Sequence, residues 1–470
     1  MSTIKTDVVV LGAGPAGYVC AIRAADLGKQ VVVVEFDNLG GTCLNWGCIP
    51  SKALIAAGHF AEQCRHAAEM GFTVPAPMLD LGKLVAWKDG IVKKLTGGVG
   101  MLFKSRKIEW VKGRGTIKGP NLVEVKHADG TVTGVQCTEL VIASGSAPSP
   151  IPGFEFGEQV WSSTEALAPK TLPKRLFVIG GGVIGMELGM FYAQVGTEVT
   201  VVEFTDQLLP GTDPDLVKVV ERRAKKAGIK IHLKSSAKEW KRAGAGVEVI
   251  AEIQGQRQTF AADAILLTAG RRPVTQGIGL ESVGLKPDAR GFLEVNAQCG
   301  TKTPHVWAVG DVTHGPMLAH KGSAQGLVAA GAIARKPGVA ADFKCVPAVI
   351  FTDPEIAWTG LTEAQCKEKG IETKVGRFNF GANGRAMSLL QTEGLIKVVA
   401  DAKDDRVLGV HMVGPNVTDL ITEASLAIEA GLTVEDVAMT IHPHPTLSEV
   451  FMEACEDVHG MSPHAVRAKK

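Results

Sequence analysis

The chain has 470 residues, 45% of them apolar, with 50 basic residues against 49 acidic ones. At about 100–200 residues per domain, this length predicts two to four domains with sizeable cores. The charge balance, with no long like-charge block, gives no electrostatic case for a nucleic acid or an anionic membrane as partner.

The opening MSTIKTDVVVLGAG enters a strand pattern at once, without the layout of a signal or transit segment. No apolar stretch approaches the roughly 18–20 residues that span a bilayer. A cytoplasmic location is the expectation. Nine cysteines (Cys20, Cys43, Cys48, Cys64, Cys137, Cys299, Cys345, Cys366, Cys455) are spread thinly, which is no secreted disulfide framework. In a reducing compartment, a disulfide that forms is more often catalytic than structural.

Residues 7–36 and 175–204 read as two copies of one unit: a β-branched run, a Gly-rich turn, a helical stretch and a second β-rich run ending in an acid. Gly12 and Gly180 fit the tight turn, and Gly14 and Gly182 let a pyrophosphate approach the backbone. Gly17 and Gly185 allow close packing of the helix on the sheet. Glu35 and Glu203 stand where an acid accepts hydrogen bonds from a ribose diol. A lone GxGxxG is weak evidence, but here strand, helix and acid accompany both copies, so two dinucleotide sites are expected. A carboxylate at Glu203, with no Arg in the following FTDQLLPG, favours NAD over NADP at the second.

Between the units lies GGTCLNWGCIPSKAL, residues 40–54, with Cys43 and Cys48 the only cysteines close in sequence. Residues five apart on a regular helix are roughly 8.6 Å apart, too far for a disulfide, which needs about 4.4–6.8 Å between Cα atoms. The two can pair if the segment is loose through Asn45–Gly47 and becomes regular only near Pro50. Cys48 then stands close to a helix N-terminus, which favours a thiolate. The alternatives are two buried free thiols or a zinc site, and no second Cys or His pair lies nearby to complete the latter.

Further along, GLIKVVA (394–400) and VLGVHMVG (407–414), followed by helical patterns, read as part of an α/β domain. Near the end, His444 and Glu449 lie five apart, with Pro443 and Pro445 about the histidine. An imidazole suits removal of a thiol proton near neutral pH, and a carboxylate can orient it. Spacing alone also allows an ordinary surface pair. Lys52, by itself, reads as an exposed helix lysine.

GGTCLNWGCIPSK resembles the redox signature of the flavoprotein disulfide reductases, in particular the dihydrolipoyl dehydrogenase branch. IASGS (142–146) and TAGRRP (268–273) resemble the family's crossings between FAD and NAD domains. VWAVGD (306–311) resembles its second FAD motif, and HPHPTLSE (442–449) its C-terminal catalytic signature. Ser144 stands where Thr is usual and Pro443 where Ala is usual; neither removes a functional group.

The resemblance implies one non-covalent FAD per subunit, NAD as co-substrate, no metal, and a Cys43–Cys48 redox disulfide with Cys43 as interchange thiol. It assigns the base to His444 rather than His442, oriented by Glu449 and supplied across a homodimer. It places Lys52 by the isoalloxazine, paired with Glu187, Asp311 on the flavin ribityl chain, and Gly270 in the crossing segment of the nucleotide site. Lipoyl groups would come from another chain, the acyltransferase of a 2-oxo acid dehydrogenase complex or a lipoyl carrier protein. The expected fold is α/β, with two Rossmann-like domains and a C-terminal α/β dimerisation domain. Residues 1–150 begin the FAD domain, 151–275 form the NAD domain, 276–345 complete the FAD domain, and 346–470 form the interface. The remaining cysteines, with Trp307 and Trp358, are expected in the core. Rival readings are another disulfide reductase of the family, or a docking module whose sole task is assembly. A glutathione reductase would carry a basic residue after the second unit, a mercuric reductase a vicinal Cys pair near the C-terminus, and a transhydrogenase relative would lack Cys43.

Overall fold

The computed structural model describes residues 2–466. Runs that are apolar at every position, such as 8–11 and 31–34, are buried on both faces and form parallel strands. The first sheet has the order 306–308, 139–142, 8–11, 31–35, 109–112, all parallel. The second repeats it as 160–161, 264–267, 175–179, 198–202, 230–232. In each, the strand that feeds the glycine turn is central, and a helix of twelve residues follows: Pro15–Asp26 in one, Val183–Gln194 in the other.

Each parallel sheet is also covered by a second, largely antiparallel sheet that no local sequence pattern announces. Val123, Val125 and Val135 of a four-stranded sheet pack with Val9, Leu11 and Val32. Val247, Val249 and Ala251 of a three-stranded sheet pack with Phe177, Ile179 and Ile265. Both units are therefore three-layered, with helices on one face and a second sheet on the other. The crossing segments meet, since Ser146–Pro148 pairs antiparallel with Arg271–Pro273.

The C-terminal part is a five-stranded antiparallel sheet in the order 348–350, 355–360, 407–414, 395–401, 373–379. Helices Val417–Ala430 and Glu449–Asp457 pack on it through Ile421, Ala424, Val450 and Phe451. Trp307 and Trp358, expected in the core, are half-buried at its edge, because each carries a polar N–H on a large ring. Of the cysteines outside the redox segment, Cys20, Cys137, Cys299, Cys366 and Cys455 are buried, while Cys64 and Cys345 are partly exposed. Among the described residues no helix is long and apolar enough to cross a membrane.

Candidate active site

At Gly12 and Gly180 the backbone takes φ of +108° and +100°, a region that favours glycine. A Cβ on Gly12 would strike the Ala143 carbonyl oxygen, and one on Gly180 would lie 2.8 Å from that of Thr268. The turn thus passes beneath the end of the neighbouring strand. Above the second glycine the space is open. A Cβ on Gly14 would meet only Gly41 Cα, at 3.9 Å, and one on Gly182 would meet nothing within 4 Å.

Each acid ties its own turn together. Glu35 Oε2 accepts from Ala13 N at 2.9 Å and Oε1 from Asp37 N at 3.0 Å. Glu203 Oε2 accepts from Gly181 N at 2.6 Å, while Oε1 accepts from Thr205 N and Oγ1 at 2.7 and 2.8 Å. A carboxylate has about four acceptor sites, so both retain capacity for a ribose diol. Beside the second turn is a cavity of about 600 Å³, lined by Gly180, Gly182, Glu203, Phe204, Thr268 and Gly270. The open glycine, the free acceptor capacity and this volume fit a dinucleotide.

The cysteine segment differs from the expectation of a loose stretch regular only near Pro50. Cys43 lies within a helix, Gly41–Trp46, and Cys48 begins another, Cys48–His66. Gly47 alone breaks them, at φ −145° and ψ −112°. Pro50 is the third residue of the new helix, a place tolerated because its missing N–H has no intrahelical partner there. The break lets residues five apart meet. Both cysteines are free thiols. Cys48 is pulled down to about 7 by the hydrogen bond from Cys43, with burial opposing and the Lys52 cation assisting. Cys43, which supplies that proton, is pushed up, first by the same bond and then by burial.

One turn after Cys48, Lys52 Nζ lies 2.8 Å from Glu187 Oε2 and 3.0 Å from Oε1. Glu187 is buried and also accepts from Phe351 N at 2.8 Å, and the Lys52 ammonium stands 4.6 Å from the Phe351 ring centre. The ion pair therefore joins all three parts of the chain. Asp311 Oδ2 accepts from Ser146 Oγ at 2.6 Å. Arg271 donates to Ser146 Oγ and O at 2.8 and 2.7 Å. Burial pulls Arg271 down, against the charges of Asp311 and Cys48. Phe351, Ser146 and Arg271 escaped the sequence reading, although Ser146 and Arg271 lie inside the crossing segments it quoted.

His444 Nδ1 lies 2.8 Å from Glu449 Oε1, and Glu449 Oε2 accepts from Thr446 N at 2.7 Å. Burial works against the Glu449 carboxylate, but the Thr446 N–H and His444 hold it below the usual range. The His444 side chain is 79% exposed. His442 is sealed at 3%, with Nδ1 on Thr440 O at 2.8 Å and Nε2 on Glu423 Oε1 at 2.9 Å. Among the described residues, no hydrogen bond or ion pair joins His444 to Cys43 or Cys48 within the chain.

Residues 6–326 match the family described as pyridine nucleotide-disulphide oxidoreductase, and residues 346–455 match the dimerisation domain of the same family. The chain belongs to this family. Its relatives include proteins named dihydrolipoyl dehydrogenase from Bacillus subtilis and Thermus scotoductus. They are 47% and 48% identical, cover 99% and 97% of this chain, and are each themselves covered over 98%. A mitochondrial dihydrolipoyl dehydrogenase of Caenorhabditis elegans is 46% identical, covering 96% of this chain and 92% of its own. Among solved structures, LpdA from Mycobacterium tuberculosis superposes with a TM-score of 0.90 at 27% identity, over 97% of this chain and 99% of that one. RclA of Escherichia coli, an HOCl-induced flavoprotein disulfide reductase, gives 0.86 at 26% identity, over 96% and 99%.

Membership in the pyridine nucleotide-disulphide oxidoreductases makes the chain an oxidoreductase flavoprotein and implies both FAD and NAD. The fold is that of two Rossmann-like units and a C-terminal domain. The cysteine pair is the redox group such chemistry needs: two cysteines at the Gly47 break, with Cys48 pulled down to about 7.

Proposed function

We propose that the chain oxidises protein-bound dihydrolipoyl groups to lipoyl groups and reduces NAD to NADH, through a Cys43–Cys48 disulfide and FAD. The observation that carries this reading is the cysteine pair. Two thiols brought to the Gly47 break between helices, with Cys48 at a helix start one turn before the Lys52–Glu187 pair, form the relay a dithiol substrate requires.

In the oxidised enzyme, His444 takes the proton of one substrate thiol, and the thiolate attacks Cys43. A mixed disulfide forms and Cys48 leaves as thiolate, stabilised by Lys52. The second substrate thiol loses its proton to solvent and its sulfur displaces Cys43, which takes the proton held by His444; the lipoyl ring closes, leaving a Cys43 thiol and a Cys48 thiolate. When bound, the flavin supplies the path by which this electron pair reaches the nicotinamide. Lys52 would favour negative charge on a bound flavin ring, and Asp311 would hold its ribityl chain. Gly12, Gly14, Gly17 and Glu35 hold the FAD; Gly180, Gly182, Gly185, Glu203 and Gly270, with Glu187 nearer the nicotinamide, hold the NAD. His442, with both nitrogens engaged, cannot serve as the base, whereas His444 keeps Nε2 free.

The reading includes a homodimer in which His444 serves the partner's cysteines. It is supported by the dimerisation domain and by exposed apolar residues such as Trp87, Met101 and Ile441, at 50%, 70% and 94%. The lipoyl donor is the acyltransferase of a 2-oxo acid dehydrogenase complex or a lipoyl carrier protein, in the cytoplasm. Divisions near residues 150, 275 and 345 accord with the second parallel sheet lying wholly within 160–267. The test is steady-state turnover with dihydrolipoamide and NAD against glutathione and NADPH. Preference for the first pair is expected, and preference for the second overturns the assignment.

A further inference from the structure

After Glu203 the chain returns to its glycine turn, where Leu209 N donates to Gly181 O at 2.8 Å, and Phe204 and Pro210 wall the dinucleotide cavity. It then enters helix Pro214–Lys226 through Asp213, whose side chain caps that helix by accepting from Asp215 N at 2.9 Å. Asp213 is buried, and its carboxylate is paired with Lys397, a residue of strand Leu395–Asp401 in the C-terminal sheet. Lys397 Nζ also lies 3.2 Å from Asp215 and 3.1 Å from Glu363, and its side chain is 3% exposed.

An ammonium is costly to bury, and apolar residues in place of such a cluster are often as stable. Charges at fixed places supply something else: a set register between the parts that carry them. The other end of the same helix is fastened alike, by Arg223 to Asp353 at 3.1 Å and to Glu62 at 3.0 Å. The nucleotide wall is thereby braced from outside its own sheet. Lys397 touches none of the groups used in the chemistry.

We infer that Lys397 is a positioning residue for the pyridine dinucleotide: through Asp213 it fixes segment 204–213 against the second glycine turn and so sets the affinity of that cavity for the ADP-ribose half. This rests on reading the cavity as the NAD site. Burial opposes the charge on Lys397, yet Asp213, followed by Glu363 and Asp215, holds its pKa above the usual range, so Lys397 keeps its charge at neutral pH.

The test is calorimetric titration of ADP-ribose into the FAD-loaded protein, for the unaltered chain, Lys397→Met and Lys397→Arg. Lys397→Met is expected to weaken binding about three- to thirtyfold and to raise KM for NAD in proportion. The flavin spectrum and the rate of reduction by dihydrolipoamide without NAD stay unchanged, and Lys397→Arg retains most of the affinity. Should Lys397→Met fail to fold, Asp215→Asn with Glu363→Gln loosens the cluster at its partly exposed members, with about a two- to threefold loss expected. Unchanged ADP-ribose affinity in a folded variant overturns the inference, as does an equal loss in the dihydrolipoamide half-reaction. If the unaltered protein binds no ADP-ribose, the reading of the cavity itself falls.

Discussion

The two nucleotide units agree atom for atom at the turn and diverge after the acid. Glu35 accepts from Ala13 N and Glu203 from the matching Gly181 N, so each carboxylate braces its own turn. The next segment folds back in both, with Gly40 N on Ala13 O at 2.9 Å and Leu209 N on Gly181 O at 2.8 Å. In the first unit this return delivers the cysteine helices to the turn. In the second it delivers a helix fastened to the C-terminal sheet. One frame thus serves two ends: it sets the cysteine pair beside the first glycine turn, and it walls a cavity at the second.

The largest effect expected from breaking this difference is at the sulfurs. Cys48→Ser should abolish turnover of dihydrolipoamide while leaving ADP-ribose binding intact in calorimetry; loss of both would mean the units are not separable. His444→Gln should lower kcat about 10²–10⁴-fold, with the flavin spectrum unaltered, in steady-state assays. The same substitution made in each copy sharpens the comparison. Gly12→Ala and Gly180→Ala each force a strained backbone at about 1–3 kcal/mol. The first should yield colourless protein, and the second yellow protein that binds ADP-ribose poorly. Glu203→Gln, which weakens charged hydrogen bonds worth about 1.5–3 kcal/mol, should lower ADP-ribose affinity roughly tenfold. The smallest effect is a titration. Absorbance of the Cys48 thiolate against oxidised flavin should grow as pH rises through about 7. Lys52→Met should move that midpoint upward, since the cation favours the anion; a downward move would remove Lys52 from the site.

Much of this was legible because it is local. Turn glycines, the acid 23 residues on and the Cys43–Cys48 spacing are short-range patterns with one physical reading each. Gly47 as the sole break was not legible: a helix from Cys48 with Pro50 in its third place follows no stronger local rule than the loose stretch expected. The Arg271–Ser146–Asp311 and Lys397–Asp213 contacts span 125 to 184 residues. Such pairings depend on how sheets dock, which one sequence does not print. The antiparallel cover strands were missed because nothing local says which sheet a hairpin will lie on.

The approach of Gly41 to Gly14 has a kinetic meaning. A Cβ on Gly41 would lie 2.5 Å from Gly14 Cα, so the chain that bears the sulfurs passes directly across the first turn, whereas a Cβ on Gly182 would meet nothing within 4 Å. A molecule seated on the first turn has covalent chain lying over its exit. At the second turn no segment approaches the matching glycine so closely. The same cradle is therefore crossed by backbone at the first turn and open at the second.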